Sequence, residues 1–237
     1  MGALAAVVLG ACDRPRDAGE AGMTATTDWY DFAIAGTKVG FTAILRGDAA
    51  AQVATTYSYT RFTMEDEEIE SRFFYTSPAG DRARWLSFGT VPEDGVSIEF
   101  RRAGGALVAV DDDRVVLAQI PEDAYPTQAY ELVLERLELR TGRTIAYTAL
   151  SDGDGAVIGR SEMRVGEAVD DPGFGRVHLV LETMNGQRGR RFWVAGDRRV
   201  VQIDWNGPIS RLGKQAEVLA GLPQRWGDIS SIRPFFP

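Results

Sequence analysis

The sequence predicts a mainly β (α+β) fold, an antiparallel sheet with one helix near the middle of the chain. Three observations carry this expectation. From Trp29 onward, short runs with two-residue alternation recur, each bounded by turn residues such as Gly, Asp and Pro. One segment, residues 127–139, switches to helical spacing. The chain has 237 residues, 44% hydrophobic and 25% charged, the ordinary make-up of a globular protein that builds its own core.

The elements follow in order. Residues 29–34 (WYDFAI) and 39–45 (VGFTAIL) flank Ala35-Gly36-Thr37-Lys38 and read as a β-hairpin. Residues 52–64 form a long alternating run rich in Thr and Tyr. Runs at 69–76, 82–88, 96–102, 107–110 and 115–120 continue the pattern between turns such as Pro78-Ala79-Gly80-Asp81 and Gly104-Gly105. In 127–139 (TQAYELVLERLEL) Tyr130, Val133, Leu134 and Leu137 share one helical face. Thr127 is placed to cap this helix of about three turns, and Pro126 and Gly142 bracket it. Strand patterns return at 144–150, 157–165, 176–184, 190–195 and 199–205. Residues 209–212 fit a further strand and 214–219 a helical turn. The body is expected to span 27–222, with an aromatic and Pro-rich tail, 223–237, lying across the sheet. "KVGFTAILRGD" (38–48) and "VIGRSEMRVGE" (157–167) echo each other, as two similar hairpins do.

Composition excludes several function classes. A net charge of −8 and a pI near 4.8 argue against nucleic acid, whose phosphates need clustered Lys and Arg. No stretch reaches the ~18–20 apolar residues of a membrane-spanning helix. The chain has one His (His178) and one Cys (Cys12). That excludes an internal disulfide and a zinc site built from Cys and His. No metal and no cofactor are expected.

Cys12 closes the stretch Leu4-Ala5-Ala6-Val7-Val8-Leu9-Gly10-Ala11-Cys12. Residues 3–9 are uniformly small or apolar, like the hydrophobic region of a secretory signal. Leu9-Gly10-Ala11-Cys12 resembles the lipobox of bacterial lipoproteins. The resemblance implies a leader of residues 1–11, diacylglycerol on the Cys12 thiol, acylation such as palmitate on the freed amine, and a periplasm-facing protein held to the cell envelope. Each buried methylene contributes ~0.8 kcal/mol, so more than one chain is needed for stable anchoring. Met1-Gly2-Ala3 lacks the Lys or Arg of such leaders, so a basic segment is expected upstream. Asp13 resembles the inner-membrane retention signal of enterobacteria-like lipoproteins. Residues 12–26, small, charged and bearing Pro and Gly, read as a flexible tether.

"DWYDFAIAGTKVGFTAI" (28–44), followed by strands, one helix and more strands, resembles two groups. One is the β region preceding the catalytic domain of some bacterial transglutaminase-like proteins. The other is the half-barrel of periplasmic lipoprotein carriers and related lipoproteins. The resemblance implies a curved antiparallel sheet or half-barrel wrapping one central helix, with a concave face suited to acyl chains. No Cys-His-Asp set accompanies it, so transglutaminase-like activity does not carry over, and architecture alone does not fix function.

Candidate chemistry is thin. His178 lies in a strand run without a triad neighbourhood. Asp152 and Asp154 in "SDGDGAVIG" suggest a calcium loop, but Glu162 comes too early for that spacing and Asp-Gly more often marks a hairpin turn. Glu65-Asp66-Glu67-Glu68 and Asp111-Asp112-Asp113 read as solvated loops between strands. The strand aromatics, among them Trp29, Tyr30, Phe32, Phe41, Tyr57 and Tyr59, fill a core or line an apolar groove. Phe73, Phe74, Trp85, Phe88, Trp193 and Trp205 extend the same set. The expected protein is not an enzyme. It binds a lipid or acyl chain, or a membrane-protein partner, through its curved sheet. The alternative is an assembly subunit of an envelope complex with no ligand of its own.

Overall fold

The computed structural model describes residues 25–47, 52–81, 83–91, 98–109 and 116–229. Cys12, Asp13, the leader, most of the tether and Asp111–Asp113 lie outside them.

The chain runs through one meander. Strands β1 (Ala25–Ile34), β2 (Thr37–Gly47), β3 (Val53–Met64), β4 (Glu67–Pro78), β5 (Ser87–Thr90), β6 (Ile98–Ala103), β7 (Ala106–Ala109) and β8 (Val116–Gln119) pair in sequence order. Then come β9 (Ala124–Pro126), a 3-10 turn (Thr127–Ala129) and helix α1 (Tyr130–Arg136). Strands β10 (Thr144–Leu150), β11 (Val157–Asp171), β12 (Gly175–Met184), β13 (Gln187–Ala195), β14 (Val200–Asp204) and β15 (Ile209–Gly213) complete the sheet. The spatial order is β8 to β1, then β15 down to β9. The meander therefore begins with β1 at the centre of the sheet and returns there with β15, where Trp29 faces Gly213 and Tyr30 faces Leu212. Among the described residues every pairing is antiparallel except β9 with β10.

Geometry forces this sheet to curl. Fifteen strands at about 4.8 Å spacing would be roughly 67 Å wide if flat. Yet the end strands β8 and β9 are joined by residues 120–123, a link that reaches at most about 18 Å. The two edges do not pair with each other; side chains hold them together instead. Trp85 Nε1 donates to the Ala124 carbonyl at 2.7 Å, and Arg102 donates to the carbonyls of Glu122 and Ala124 while stacking on Trp85 at 4.4 Å. Gly155, with φ +70, brings the β10–β11 loop against Leu107 of β7, and a Cβ there would lie 2.4 Å from the Leu107 side chain. The expected curved sheet around one central helix is thus the observed architecture, an unclosed barrel with α1 inside.

Alternation sets which side chains fill it. Tyr147, Leu150, Met163, Val165, Val180, Phe192 and Ile203 point inward onto Leu132, Val133, Leu134 and Leu137. Outward-facing Trp29, Phe41, Ala43, Leu45, Tyr57 and Tyr59 form a second layer under α2 (Gln215–Leu219) and Trp226. Strand β2 is therefore buried on both faces between Gly40 and Leu45. In the described part of the tail Trp226 is buried in this outer layer, with Arg61 over its ring. Gly40 is required by close approach: a Cβ would sit 2.1 Å from the Arg61 carbonyl oxygen, and the Phe32 and Phe62 rings meet at 4.9 Å across this position.

Several expectations change in detail. The helix is shorter than 127–139, because its first residues form the 3-10 turn and Leu137 is already extended. Thr127 does not cap it. Its hydroxyl donates to Asp152, and Asp152 Oδ1 accepts from the Gln128 amide at 3.0 Å, so the carboxylate takes the capping role. The run 82–88 enters β5 only at Ser87, since Trp85 is turned into the core to reach Ala124. Glu65-Asp66 is a two-residue hairpin turn with both φ positive (51° and 66°), and the β12–β13 turn Asn185-Gly186 has the same form. The echoing segments are β2 and β11, and their glycines serve different neighbours, Phe62 at Gly40 and Asn185 at Gly159.

Candidate functional site

Between the inner face of β1–β4 and α1 the barrel is not filled. The reason is local. On β3, Thr56, Ser58 and Thr60 point inward while the large Tyr57 and Tyr59 point outward. Thr42 of β2 and Ser71 of β4 continue the patch of small side chains. Opposite them stand Tyr130, Gln128 and Glu131 at the start of α1, with Trp205 and Ser210 from the β14–β15 hairpin. The resulting cavity has a volume of about 270 Å³, and Tyr30, Phe32, Ile44, Phe62 and Phe73 make its walls apolar.

Several of its polar atoms are already satisfied. The Thr42 and Thr60 hydroxyls bond each other at 2.9 Å. Ser210 Oγ accepts from Trp205 Nε1 at 2.9 Å, and the Tyr30 hydroxyl donates to the Val200 carbonyl at 2.8 Å. At one end, Glu131 accepts from Arg46 and, at 3.1 Å, from the Tyr75 hydroxyl; Arg46 also pairs with Asp28 at 2.6 Å. Burial opposes the Arg46 charge, but Glu131 and Asp28 outweigh it and raise its pKa. Burial also pushes the Tyr75 and Tyr130 hydroxyls far above their ordinary pKa.

A second cluster sits beyond Trp205. Arg190 donates to Glu182 through Nε at 2.6 Å and Nη2 at 2.7 Å, and through Nη1 to the Thr127 carbonyl at 2.7 Å. Its guanidinium lies over the rings of Tyr130, Phe192 and Trp205, at 5.5, 5.3 and 5.8 Å. The Tyr147 hydroxyl also donates to Glu182. Burial alone pushes the Glu182 carboxyl up; the Arg190 bonds and charge win and hold it below the ordinary carboxylate value. This cluster forms the floor of an open cleft of about 520 Å³ whose rim includes Asn185, Gln187, Arg188 and Asn206. Cavity and cleft share Gln128 and Trp205.

The other candidates are not brought together. His178 is half-buried on β12 between Ala168 and Val194, and its Nδ1 has no hydrogen-bond partner. Asp154 accepts from its own loop, from the Ser151 side chain and from the Ala156 amide at 3.1 Å, while Asp152 holds the helix start and Glu162 is exposed on β11. Glu68 pairs with Arg61 and Arg225. Among the described residues no group of three His, Cys, Asp or Glu is arranged to hold a metal ion, and no helix is long and apolar enough to cross a membrane. Of the aromatics, Tyr30, Phe32, Phe73 and Trp205 reach the cavity, whereas Trp29, Phe41, Tyr57 and Tyr59 belong to the outer layer. The signal for the cavity was Thr56, Ser58 and Thr60, small hydroxyl residues at inward positions of a strand that otherwise reads as aromatic.

No family model matches the chain, and no curated protein does. Among solved structures it is similar to a β-barrel-like protein of domain of unknown function DUF1849 from Brucella abortus, with a TM-score of 0.52, 13% identity, and coverage of 79% of this chain and 95% of that one. A DUF1089 family protein from Pseudomonas aeruginosa aligns with a TM-score of 0.36 and 13% identity over 81% of this chain and 96% of that one. The first likeness concerns the fold alone and agrees with the barrel described above.

Proposed function

We propose that the protein is a lipid-anchored, envelope-facing, non-catalytic binding protein that takes a single apolar chain, a lipid or acyl chain, into the cavity under α1. The observation that carries this reading is that cavity, about 270 Å³ with an apolar wall, between the sheet and α1. Apolar, concave sites with a few polar groups are the usual form of small-ligand pockets, which start near ~300 Å³. A methylene fills about the room of one water (~30 Å³), so the space suits roughly nine chain carbons rather than a whole two-chain lipid. The engagement of Glu131, Glu182 and Asp204 in arginine pairs supports a binding rather than a catalytic role. The lipobox-like Leu9-Gly10-Ala11-Cys12 supports the anchor on Cys12.

The test uses the full chain, purified from bacterial membranes and weighed intact under native conditions. A bound single-chain species is expected, and it should be lost in Ser58→Phe, which fills the cavity. With added alkanols, affinity should rise about fourfold per methylene (~0.8 kcal/mol) and level off near ten carbons. A chain that carries no ligand, and binds none when alkanols are added, overturns the reading and favours the assembly subunit. For the anchor, Cys12→Ser should move the protein from the membrane to the soluble fraction; persistence in the membrane counts against it.

A further inference from the structure

Trp205 and Gln128 line both the cavity and the cleft and so stand between them. One side of this partition is lined mainly by apolar side chains. The other is more open and bordered by the side-chain amides of Asn185, Gln187 and Asn206. Its ionisable lining residues are Glu182, Arg188 and Arg190. Glu182 and Arg190 neutralise each other, which leaves Arg188 in excess. Arg188 is exposed, and among the described residues no carboxylate pairs with it. A chain of net charge −8 thus presents one guanidinium without a carboxylate partner at the cleft, while Asp152 is held on the far side against Thr127 and Gln128. We infer that the two compartments form one site for a single-chain anionic amphiphile: tail in the cavity, anionic head in the cleft against Arg188 and Gln128, and Trp205 as the partition the chain must pass. This rests on the binding reading above and adds the chemistry of the head.

Trp205 is built for that position. It sits at the β14–β15 turn, where Asn206 (φ 71°) and Gly207 (φ 144°) adopt conformations that favour short or absent side chains. Its ring is steered from three sides: by Ser210 at Nε1, by the edge of Tyr130 at 6.1 Å and by the Arg190 guanidinium. The backbone of the turn is held by Asp204, whose carboxylate accepts from the Asn206 amide at 2.8 Å and the Gly207 amide at 3.0 Å. A hairpin tip held in place this way sets one large ring between an interior space and solvent, and rotation of that side chain alone would open the passage.

The experiment titrates the full chain with four twelve-carbon probes: dodecanol, dodecanoate, a lysophosphatidylglycerol with a twelve-carbon chain, and dodecyltrimethylammonium. At least one of the two anionic probes should bind about tenfold or more tighter than the cationic one. Which of them does so distinguishes a free carboxylate from a phosphodiester head as the source. Arg188→Gln should erase that preference while leaving dodecanol unchanged. Trp205→Ala should speed both association and dissociation severalfold, and Trp205→Phe, which retains a ring, should not. Equal binding of anionic and cationic probes, or no effect of Arg188→Gln, overturns the inference. If dodecanol still binds and is still lost in Ser58→Phe, the cavity reading survives that failure. If no probe binds, both fall.

Discussion

Replacing Arg190 by Met tests what holds the interior of the barrel together. Met packs acceptably among Tyr130, Phe192 and Trp205, so the change removes a charge with little loss of volume. What it leaves behind is Glu182, whose side chain is only 1% exposed. Its remaining donors are the Tyr147 hydroxyl and the main-chain amide of residue 190, at 3.3 Å. Breaking a buried ion pair from one side costs about 3–5 kcal/mol, and the two surviving donors place this case near ~3 kcal/mol. For a domain of this size that corresponds to a fall in Tm of roughly 6–12 °C. The pH dependence is the sharper readout. In the wild type Glu182 is held below its ordinary value, so its contribution is present above that value and is lost as pH falls through the folded pKa. In Arg190→Met only burial remains dominant, the carboxyl moves above its ordinary value, and the variant gains stability as pH falls. Urea unfolding near pH 7.5 and near pH 5 should therefore show the gap between the two proteins shrinking on acidification. The double variant Glu182→Gln with Arg190→Met should recover at least about half of the loss. A deficit under about 1 kcal/mol, or one that does not change with pH, would refute the reasoning.

Three further outcomes are expected. Gly40→Ala forces a Cβ to within 2.1 Å of the Arg61 carbonyl oxygen, so β2 and β3 must separate. A loss of about 2–3 kcal/mol in chemical denaturation is expected, and a neutral result would mean the strands part easily. Arg102→Ala removes the carbonyl contacts and the Trp85 stacking that tie β9 to β5 and β6; hydrogen exchange at Ala124 and Tyr125 should accelerate, with about 1–3 kcal/mol lost, before other strands respond. Asp152 behaves oppositely to Glu182. Burial raises its pKa despite the Thr127 and Gln128 bonds, so its contribution is fully present below the ordinary carboxylate value and is lost as pH rises through the raised one. Asp152→Asn should match or exceed the wild type near neutrality, while Asp152→Ala should lose about 1 kcal/mol as the helix start loses its acceptor.

Most strands were legible because each faces two environments. In β3, β11 and β12 the inward side chains meet α1 or the opposing wall and the others meet water or the outer layer, so alternation survives in the residues themselves. Asn185-Gly186 marked its hairpin by residue type. Glu65-Asp66 did not, because those side chains signal charge more loudly than backbone preference. β9 has three residues, too few to show a period, and Trp85 looked like strand because a ring that reaches the core from a loop has the same composition. The cavity was hidden for a different reason. Tyr57 and Tyr59 attract attention as ligand-binding aromatics, yet they face α2 and Trp226; the empty space belongs to the short hydroxyl residues between them. The Arg190–Glu182 pair depends on how β12 and β13 lie against Tyr147 and Phe192, which no spacing within either strand reveals.

The return of the chain to its starting point has a cost during synthesis. Each hairpin from β1 to β8 can zip as soon as its second strand leaves the ribosome. The outer edge of β1 cannot, because its partner begins at Ile209 and the match is complete only at Gly213. Throughout translation a strand carrying Trp29, Tyr30 and Phe32 waits with unpaired amides and carbonyls, the kind of ledge on which nascent chains stick to one another.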